Sequence, residues 1–267
     1  MNTAMKRILS RVRPVLPRSR QGIWRDDRTL VVGDLTFTLV TWDFDKFASS
    51  GKNFVLLKDR KFVEQYVELF GDRPLERVLE FGIYHGANLL LLERYFGAHQ
   101  VVGIDLRPPE AVLLEYLSSS GLGGRISPHF GVSQADGPEV RKIIDHDFGG
   151  QPIDVIIDDA SHDLGFTRAS FETAFPHLRA GGLYVIEDWG WAHWDGVWQT
   201  ELWTEKPALS NLIFELIMIC TSRRDVIARI DVSPYFVAVT KGEAVVDPQS
   251  FQLSSLYLTR GKQLGLL

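Results

Sequence analysis

Residues 77–86 read Arg-Val-Leu-Glu-Phe-Gly-Ile-Tyr-His-Gly, and a helix-forming run from Ala87 to Phe96 follows directly. A short apolar strand that breaks on two glycines and then enters a helix is the first βα turn of a doubly wound α/β sheet. Glycines are needed there because the turn lets the backbone approach a ligand closely. The next apolar run, Val101–Ile104, ends in Asp105. An acid at the tip of the second strand can accept both hydroxyls of a ribose. Glu80, Gly82, Tyr84, Gly86 and Asp105 are therefore candidates for holding a nucleoside.

Outward from this turn the same rhythm continues. Apolar runs recur at Arg125–His129, Val155–Ile157 and Leu183–Ile186, with stretches long enough for a helix between most of them. Alternation at this pitch predicts a mostly parallel sheet with helices on both faces. Phe171, Ala174, Phe175 and Leu178 mark one crossover helix, and Gly181-Gly182 is expected to end it and start the next strand. Val226–Val232 and Tyr235–Thr240 flank Ser233-Pro234 and predict an antiparallel pair at the sheet edge. Upstream, Leu30–Val32 and Leu35–Val40 around Gly33-Asp34 predict a hairpin, and Lys58–Phe70 a helix with Phe62, Val63, Tyr66, Val67 and Phe70 on one face. The expected organisation is a flexible basic arm over 1–28, an extension with a hairpin over 29–57, and one catalytic domain over 58–267.

Composition narrows the function. The chain has 267 residues, 45% apolar and 24% charged, with a net charge of -5, the balance of an ordinary globular protein. An acidic protein does not draw nucleic acid through its bulk field, so no nucleic-acid partner is expected. The lone Cys220 excludes an intrachain disulfide and points to a reducing, cytoplasmic setting. No run is long and apolar enough for a membrane span; Leu209–Cys220 reads as a buried helix. Eight basic residues against two acids in the first 28 suggest a solvated tail, or else a peripheral contact with anionic lipid or a partner. A homo-oligomer stays open.

The turn at residues 80–86 departs from Gly-x-Gly-x-x-Gly and offers no pyrophosphate cradle. S-adenosylmethionine, a nucleoside without phosphates, suits it better than a dinucleotide. This reads as a Rossmann-like class I methyltransferase. Ser133, Gln134 and Asp136, after the third strand, are expected at the adenine edge, although Asp136 also precedes a helical run and could simply cap it.

The reaction centre is expected where Asp154-Val155-Ile156-Ile157 delivers Asp158, Asp159 and His162, and where Tyr184-Val185-Ile186 delivers Glu187 and Asp188. Four carboxylates from two neighbouring strand tips repel one another unless a cation joins them, and all-oxygen ligation favours magnesium. Asp159 or Ser161 could instead cap the following helix. Asp158 is assigned to the cofactor. His162 titrates in the neutral range and suits proton removal from a hydroxyl. Trp189, Trp191, Trp194, Trp198 and Trp203 crowd the next stretch and suggest an aromatic lid over a flat or sugar-like acceptor.

At these residues the sequence resembles a family. Ile157–His162, Ser170-Phe171, Phe175-Pro176, Leu178, Gly181–Asp188 and Trp194 look like the macrolide-sugar O-methyltransferases of the mycinamicin and macrocin type, with the cephalosporin-hydroxylase-like group more distant. The resemblance covers roughly residues 75 to 242. It implies Asp159, Glu187 and Asp188 as magnesium ligands and His162 as base with Asp159 beside it; it does not carry over the substrate, and the expected acceptor is a hydroxyl, of a sugar in a small-molecule glycoside, a glycolipid or a related natural product. Ala160 replaces that family's usual glycine, and the short N-terminal extension does not look like its additional domain. A catechol, phenolic or carboxyl acceptor, and a non-catalytic cofactor-binding subunit, are the alternatives.

Overall fold

The computed structural model describes residues 22–42, 46–262 and 265–267. The basic stretch over 1–21, and any lipid or partner contact it makes, lies outside the described residues. Among the described residues no helix is long and apolar enough to cross a membrane.

The chain first builds a small sheet from β1 (Gly22–Asp26), β2 (Thr29–Val32), β3 (Leu35–Leu39) and β4 (Asn53–Leu56), in that order, with β3 and β4 parallel. The expected hairpin is β2–β3. It is two strands short of the whole, and β1 extends into the stretch expected as a flexible arm. Residues 22–28 are held there by pairing with β2 and by the Asp26 carboxylate, which accepts from the Arg28 amide and the Thr29 hydroxyl.

Helix α1 (Arg60–Phe70) follows, capped by Asp59, whose carboxylate accepts from the Phe62 amide at 2.7 Å. The main sheet then forms from β5 (Arg77–Phe81), β6 (Gln100–Asp105), β7 (Ile126–Phe130), β8 (Ile153–Asp158), β9 (Leu178–Glu187), β10 (Ile227–Val232) and β11 (Phe236–Lys241). Their order is β10-β11-β9-β8-β5-β6-β7. Strands β5 to β9 are parallel where they pair, and β11 runs antiparallel between β9 and β10. The connections are α2 (Ala87–Arg94), α3 (Ala111–Ser120), α4 (Gly137–Phe148), α5 (Leu164–Ala174) and α6 (Ser210–Ser222).

Strand alternation sorts the core into two layers. Val78, Val155, Leu183 and Val185 join one cluster with α1, α2, α3 and the inner face of the small sheet. Leu79, Phe81, Ile156, Tyr184 and Ile186 join the other with α4, α5 and α6. The N-terminal extension thus shares a core with the main sheet. Helix α6 is buried along Leu212, Leu216 and Ile219, while Phe214 and Ile217 face outward.

Gly181-Gly182 does not end a helix. Helix α5 stops at Ala174, a 3₁₀ turn with Pro176 follows, and β9 already starts at Leu178. The glycines lie inside the strand, where its register against β8 shifts; a Cβ on Gly182 would meet the Arg179 carbonyl at 3.0 Å and that of Asp154 at 3.1 Å. An irregular strand of this kind reads in sequence as a break.

Phe171 is fully buried, with ring centroids 4.7 Å from Phe175 and 4.6 Å from Tyr184. Phe171→Ala is expected to cost about 3–5 kcal/mol in urea unfolding followed by circular dichroism, and a loss well under ~2 kcal/mol would show that the layer collapses onto the gap.

Candidate active site

A cavity of about 710 Å³ opens at the carboxyl ends of β5, β6, β8 and β9, the end at which sheets of this kind bind ligands. Its far wall comes from the small sheet and the β4–α1 junction, including Trp42 and Lys58.

On one side lies the glycine turn. Gly82 has φ +92°, and a Cβ there would stand 1.9 Å from the Asp159 carbonyl oxygen. The same approach carries a hydrogen bond from the Asp159 amide to the Phe81 carbonyl at 2.9 Å. A Cβ on Gly86, at φ +80°, would stand 2.4 Å from the Leu113 side chain of α3. Glu80 is buried and lines the cavity. Burial pushes its carboxyl up to about 8, against a hydrogen bond from Asn88 at 2.6 Å, and its Oε2 has no hydrogen-bond partner among the described residues. Asp105 also lines the cavity, but one of its oxygens accepts the amides of Ile83 and Tyr84 at 2.7 and 2.8 Å and the other that of Arg107 at 2.8 Å. It shapes the glycine turn as well as facing the cavity. Tyr84 sits at φ 50°, with the Arg107 guanidinium 4.5 Å from its ring.

Three expected cofactor contacts are otherwise engaged. Asp136 is exposed and caps α4 through the Glu139 amide, and does not reach the cavity. Asp158 points into the second core layer, where Ser170, Tyr184 and Gln134 donate to it at 2.5, 2.7 and 3.0 Å. Burial still lifts its carboxyl to about 6 against those bonds. Gln134 touches the cavity but spends its amide on Asp158, Ser170 and the Ser161 amide. Ser133 does line the cavity.

On the other side stand the acids and the histidine. Pairing of Asp158 with Ile186 sets the tips of β8 and β9 side by side. Asp163 caps α5, accepting from the Gly165 and Phe166 amides, which leaves Asp159 and Ser161 without that duty. Asp159, His162 and Asp188 present one ligand atom each, all within 4.8 Å of one another. Burial, then the Asp159 and Glu187 carboxylates, push Asp188 up to about 8. His162 is buried, with burial lowering its pKa against the pull of Asp159. Its Nδ1 lies 3.3 Å from the Glu187 carbonyl, the donor position, so Nε2 keeps the lone pair and stands 3.8 Å from Asp159 Oδ1. Among the described residues four non-glycines have positive φ, and three of them, Tyr84, His162 and Asp188, line this cavity. Strained backbone concentrates where side chains must be aimed.

Glu187 departs from its expected place among the metal ligands. Lys58 donates to its Oε2 at 2.5 Å and the Tyr66 hydroxyl donates to its Oε1, so both oxygens already have a partner in the protein. Lys58 also donates to Asp159 Oδ2 at 2.9 Å. Burial alone would lower the Lys58 pKa, but Asp159 and Glu187 outweigh it and hold the ammonium above its usual range; burial raises Glu187 and Lys58 opposes. The donors that fit a divalent cation are the carboxylates of Asp159 and Asp188 with His162 beside them, since hard cations need only one or two carboxylates.

The five tryptophans divide. Trp191, Trp194 and Trp198 line the cavity, and the Trp191 ring lies 4.2 Å from His162 and 4.7 Å from Trp198. Trp189 packs against the second core layer and donates its indole N–H to the Ser233 carbonyl, while Trp203 is buried behind Trp191. Trp42 joins the wall from the other side, 6.4 Å from Trp198. Sequence reasoning missed Trp42, Lys58 and the hydroxyl of Tyr66. The lysine and the tyrosine read there only as the start and the apolar face of a helix.

Residues 79–189 match a family described as a methyltransferase domain. L-olivosyl-oleandolide 3-O-methyltransferase of Streptomyces antibioticus is 38% identical over 127 residues, which cover 45% of this chain and 30% of that protein. Mycinamicin VI 2''-O-methyltransferase of Micromonospora griseorubida is 34% identical over 127 residues, 45% of this chain and 29% of its own. MycE, a mycinamycin-pathway methyltransferase solved with Mg, SAH and mycinamycin VI, superposes with a TM-score of 0.51 at 26% identity, over 68% of this chain and 49% of that one. The chain has the class I methyltransferase fold and resembles the macrolide-sugar O-methyltransferases. It spans under a third of the length of the two curated relatives and about half of the solved one.

Gly82→Ala tests the cofactor side. A Cβ driven into the Asp159 carbonyl, at a φ that L-residues avoid, is expected to cost about 1–3 kcal/mol and to lower the melting temperature and S-adenosylhomocysteine affinity together. A variant that matches the parent in calorimetry on both counts would show that the turn can widen.

Proposed function

We propose that this chain transfers the methyl group of S-adenosylmethionine to a hydroxyl of a sugar, in a glycoside, glycolipid or related natural product. The observation that carries this reading is one cavity with a glycine turn and an unpartnered buried carboxylate oxygen at one end, and an oriented histidine beside two carboxylates at the other. The named O-methylations of the similar proteins agree with it.

Glu80, Gly82, Tyr84, Gly86 and Asp105 form the cofactor end. Glu80 offers its free oxygen to a donor of the bound cofactor. His162 takes the acceptor proton on Nε2 while the acceptor oxygen forms its bond to the methyl carbon. The carbon–sulfur bond breaks with its electron pair passing to sulfur, which leaves a neutral thioether, a methyl ether and a protonated imidazole. Asp159, next to Nε2, favours that imidazolium. A divalent cation held by Asp159 and Asp188 would make an acceptor hydroxyl more acidic. Trp191, Trp194, Trp198 and Trp42 exclude water and offer aromatic faces to a pyranose ring. Fixing two reactants in line, with the developing charge neutralised beside them, is what the site contributes to the rate.

The test is methyl transfer from labelled S-adenosylmethionine to a panel of deoxysugar-bearing glycosides. His162→Ala is expected to keep S-adenosylhomocysteine affinity and to lose about 10²–10⁴-fold in kcat; unchanged turnover would remove the base assignment. Dialysis against EDTA is expected to depress transfer and added magnesium to restore it. A rate indifferent to both would remove the cation while leaving His162 in place.

A further inference from the structure

One buried charge has no part in the chemistry just described. Lys58 stands at the junction of β4 and α1, outside the residues that match the methyltransferase domain, and its side chain is 2% exposed. A lone ammonium at such depth is costly to desolvate. It is held by carboxylates on one side, at 2.5 Å from Glu187 Oε2 and 2.9 Å from Asp159 Oδ2, and by the rings of Phe62 and Tyr66 on another, at 4.5 and 5.7 Å from their centroids. The Tyr66 hydroxyl closes the remaining oxygen of Glu187.

We propose that the Lys58 ammonium is a tethered cation of the acid cluster: it withdraws Glu187 from the ligand set and limits how tightly Asp159 and Asp188 hold a divalent ion. This rests on the reading that those two aspartates hold such an ion. Two observations carry it. Both oxygens of Glu187 already accept a hydrogen bond, one of them from the ammonium, although β9 delivers it to the same strand tip as Asp188. Asp159 is shared, with Oδ2 on the ammonium and Oδ1 toward His162. A positive charge fixed on one oxygen of a ligand repels a second cation on the other, and in a buried site that repulsion is weakly screened. The cluster therefore reaches charge balance with one cation supplied by the chain and one by solution. A site with three free carboxylates would take its charge from solution alone.

The test uses manganese as the probe, on the full chain saturated with S-adenosylhomocysteine and without any acceptor, by isothermal titration calorimetry and by loss of the free-ion paramagnetic resonance signal. Lys58→Met is expected to bind manganese about ten-fold or more tightly, because Glu187 is released and a repelling charge is gone. Its melting temperature should also depend on manganese more steeply than the parent's. Lys58→Met with Glu187→Gln removes the pair without leaving a buried charge, and it should fold without metal and bind within about three-fold of the parent. The double variant keeps the test alive if the single one fails to fold. Tighter binding in the single variant with parental binding in the double supports the proposal. Unchanged or weaker binding in a folded Lys58→Met, or a ten-fold loss in the double, overturns it. If Asp188→Asn abolishes manganese binding while Lys58→Met leaves it unchanged, the Lys58 proposal fails and the aspartate site stands. If parent and Lys58→Met both bind no manganese, the cation reading falls and this proposal with it.

Discussion

Parallel pairing of β8 with β9 brings Asp159, Glu187 and Asp188 to neighbouring strand tips, and the molecule must then settle a cluster of like charges out of water. An ionised carboxylate taken into the interior costs several kcal/mol unless it is paired and hydrogen-bonded. The fold answers each acid differently. Glu187, the most deeply buried, takes an ammonium and a phenol. Asp159 shares the ammonium and keeps one oxygen toward His162. Asp188 has neither partner and is pushed up to about 8, so it is the acid with most to gain from an added cation. The position of α1 fits the same requirement, since Lys58 just before it and Phe62 and Tyr66 on its buried face all meet this cluster.

The opposite wall depends on backbone rather than charge. The Asp159 carbonyl occupies the space that a side chain on residue 82 would need. The cofactor turn of β5 and the acid tip of β8 are therefore in contact, and the distance between the two ends of the cavity is set by a packed backbone, not by flexible side chains. The left-handed φ of His162 and Asp188 extends the same logic. Both residues follow the ends of their strands and line the cavity. Interactions on both sides must hold them there.

Much of this was legible in the sequence. Strands β5, β6, β8 and the terminal pair, the glycine turn, and the acid and histidine at the β8 tip all follow from period and punctuation. What escaped has physical reasons. Doublets such as Asp158-Asp159 and Glu187-Asp188 straddle the end of a strand, where neighbouring side chains take opposite directions. One-dimensional reading cannot show that Asp158 enters the core while Asp159 enters the cavity. Asp136 looks the same as a helix cap and as an adenine contact, because one carboxylate suits either. The glycines of β9 mark a register shift that resembles a helix end. Lys58 and Trp42 escaped because they reach the site from segments that follow strands of a separate small sheet, and no periodicity ties that sheet to the strands it covers.

That sheet separates two kinds of information in the chain. The glycine turn, Asp105, Asp159, His162, Glu187 and Asp188 all fall within residues 79–189, which match the methyltransferase domain. Lys58 and Tyr66, which partner Glu187, and Trp42 and Trp198, which line the cavity, fall outside it. The cavity wall outside the matched residues thus comes largely from two elements, the segments flanking the small sheet and the stretch before α6. The aromatic contact of Trp42 with Trp198 joins those two elements across the mouth of the cavity.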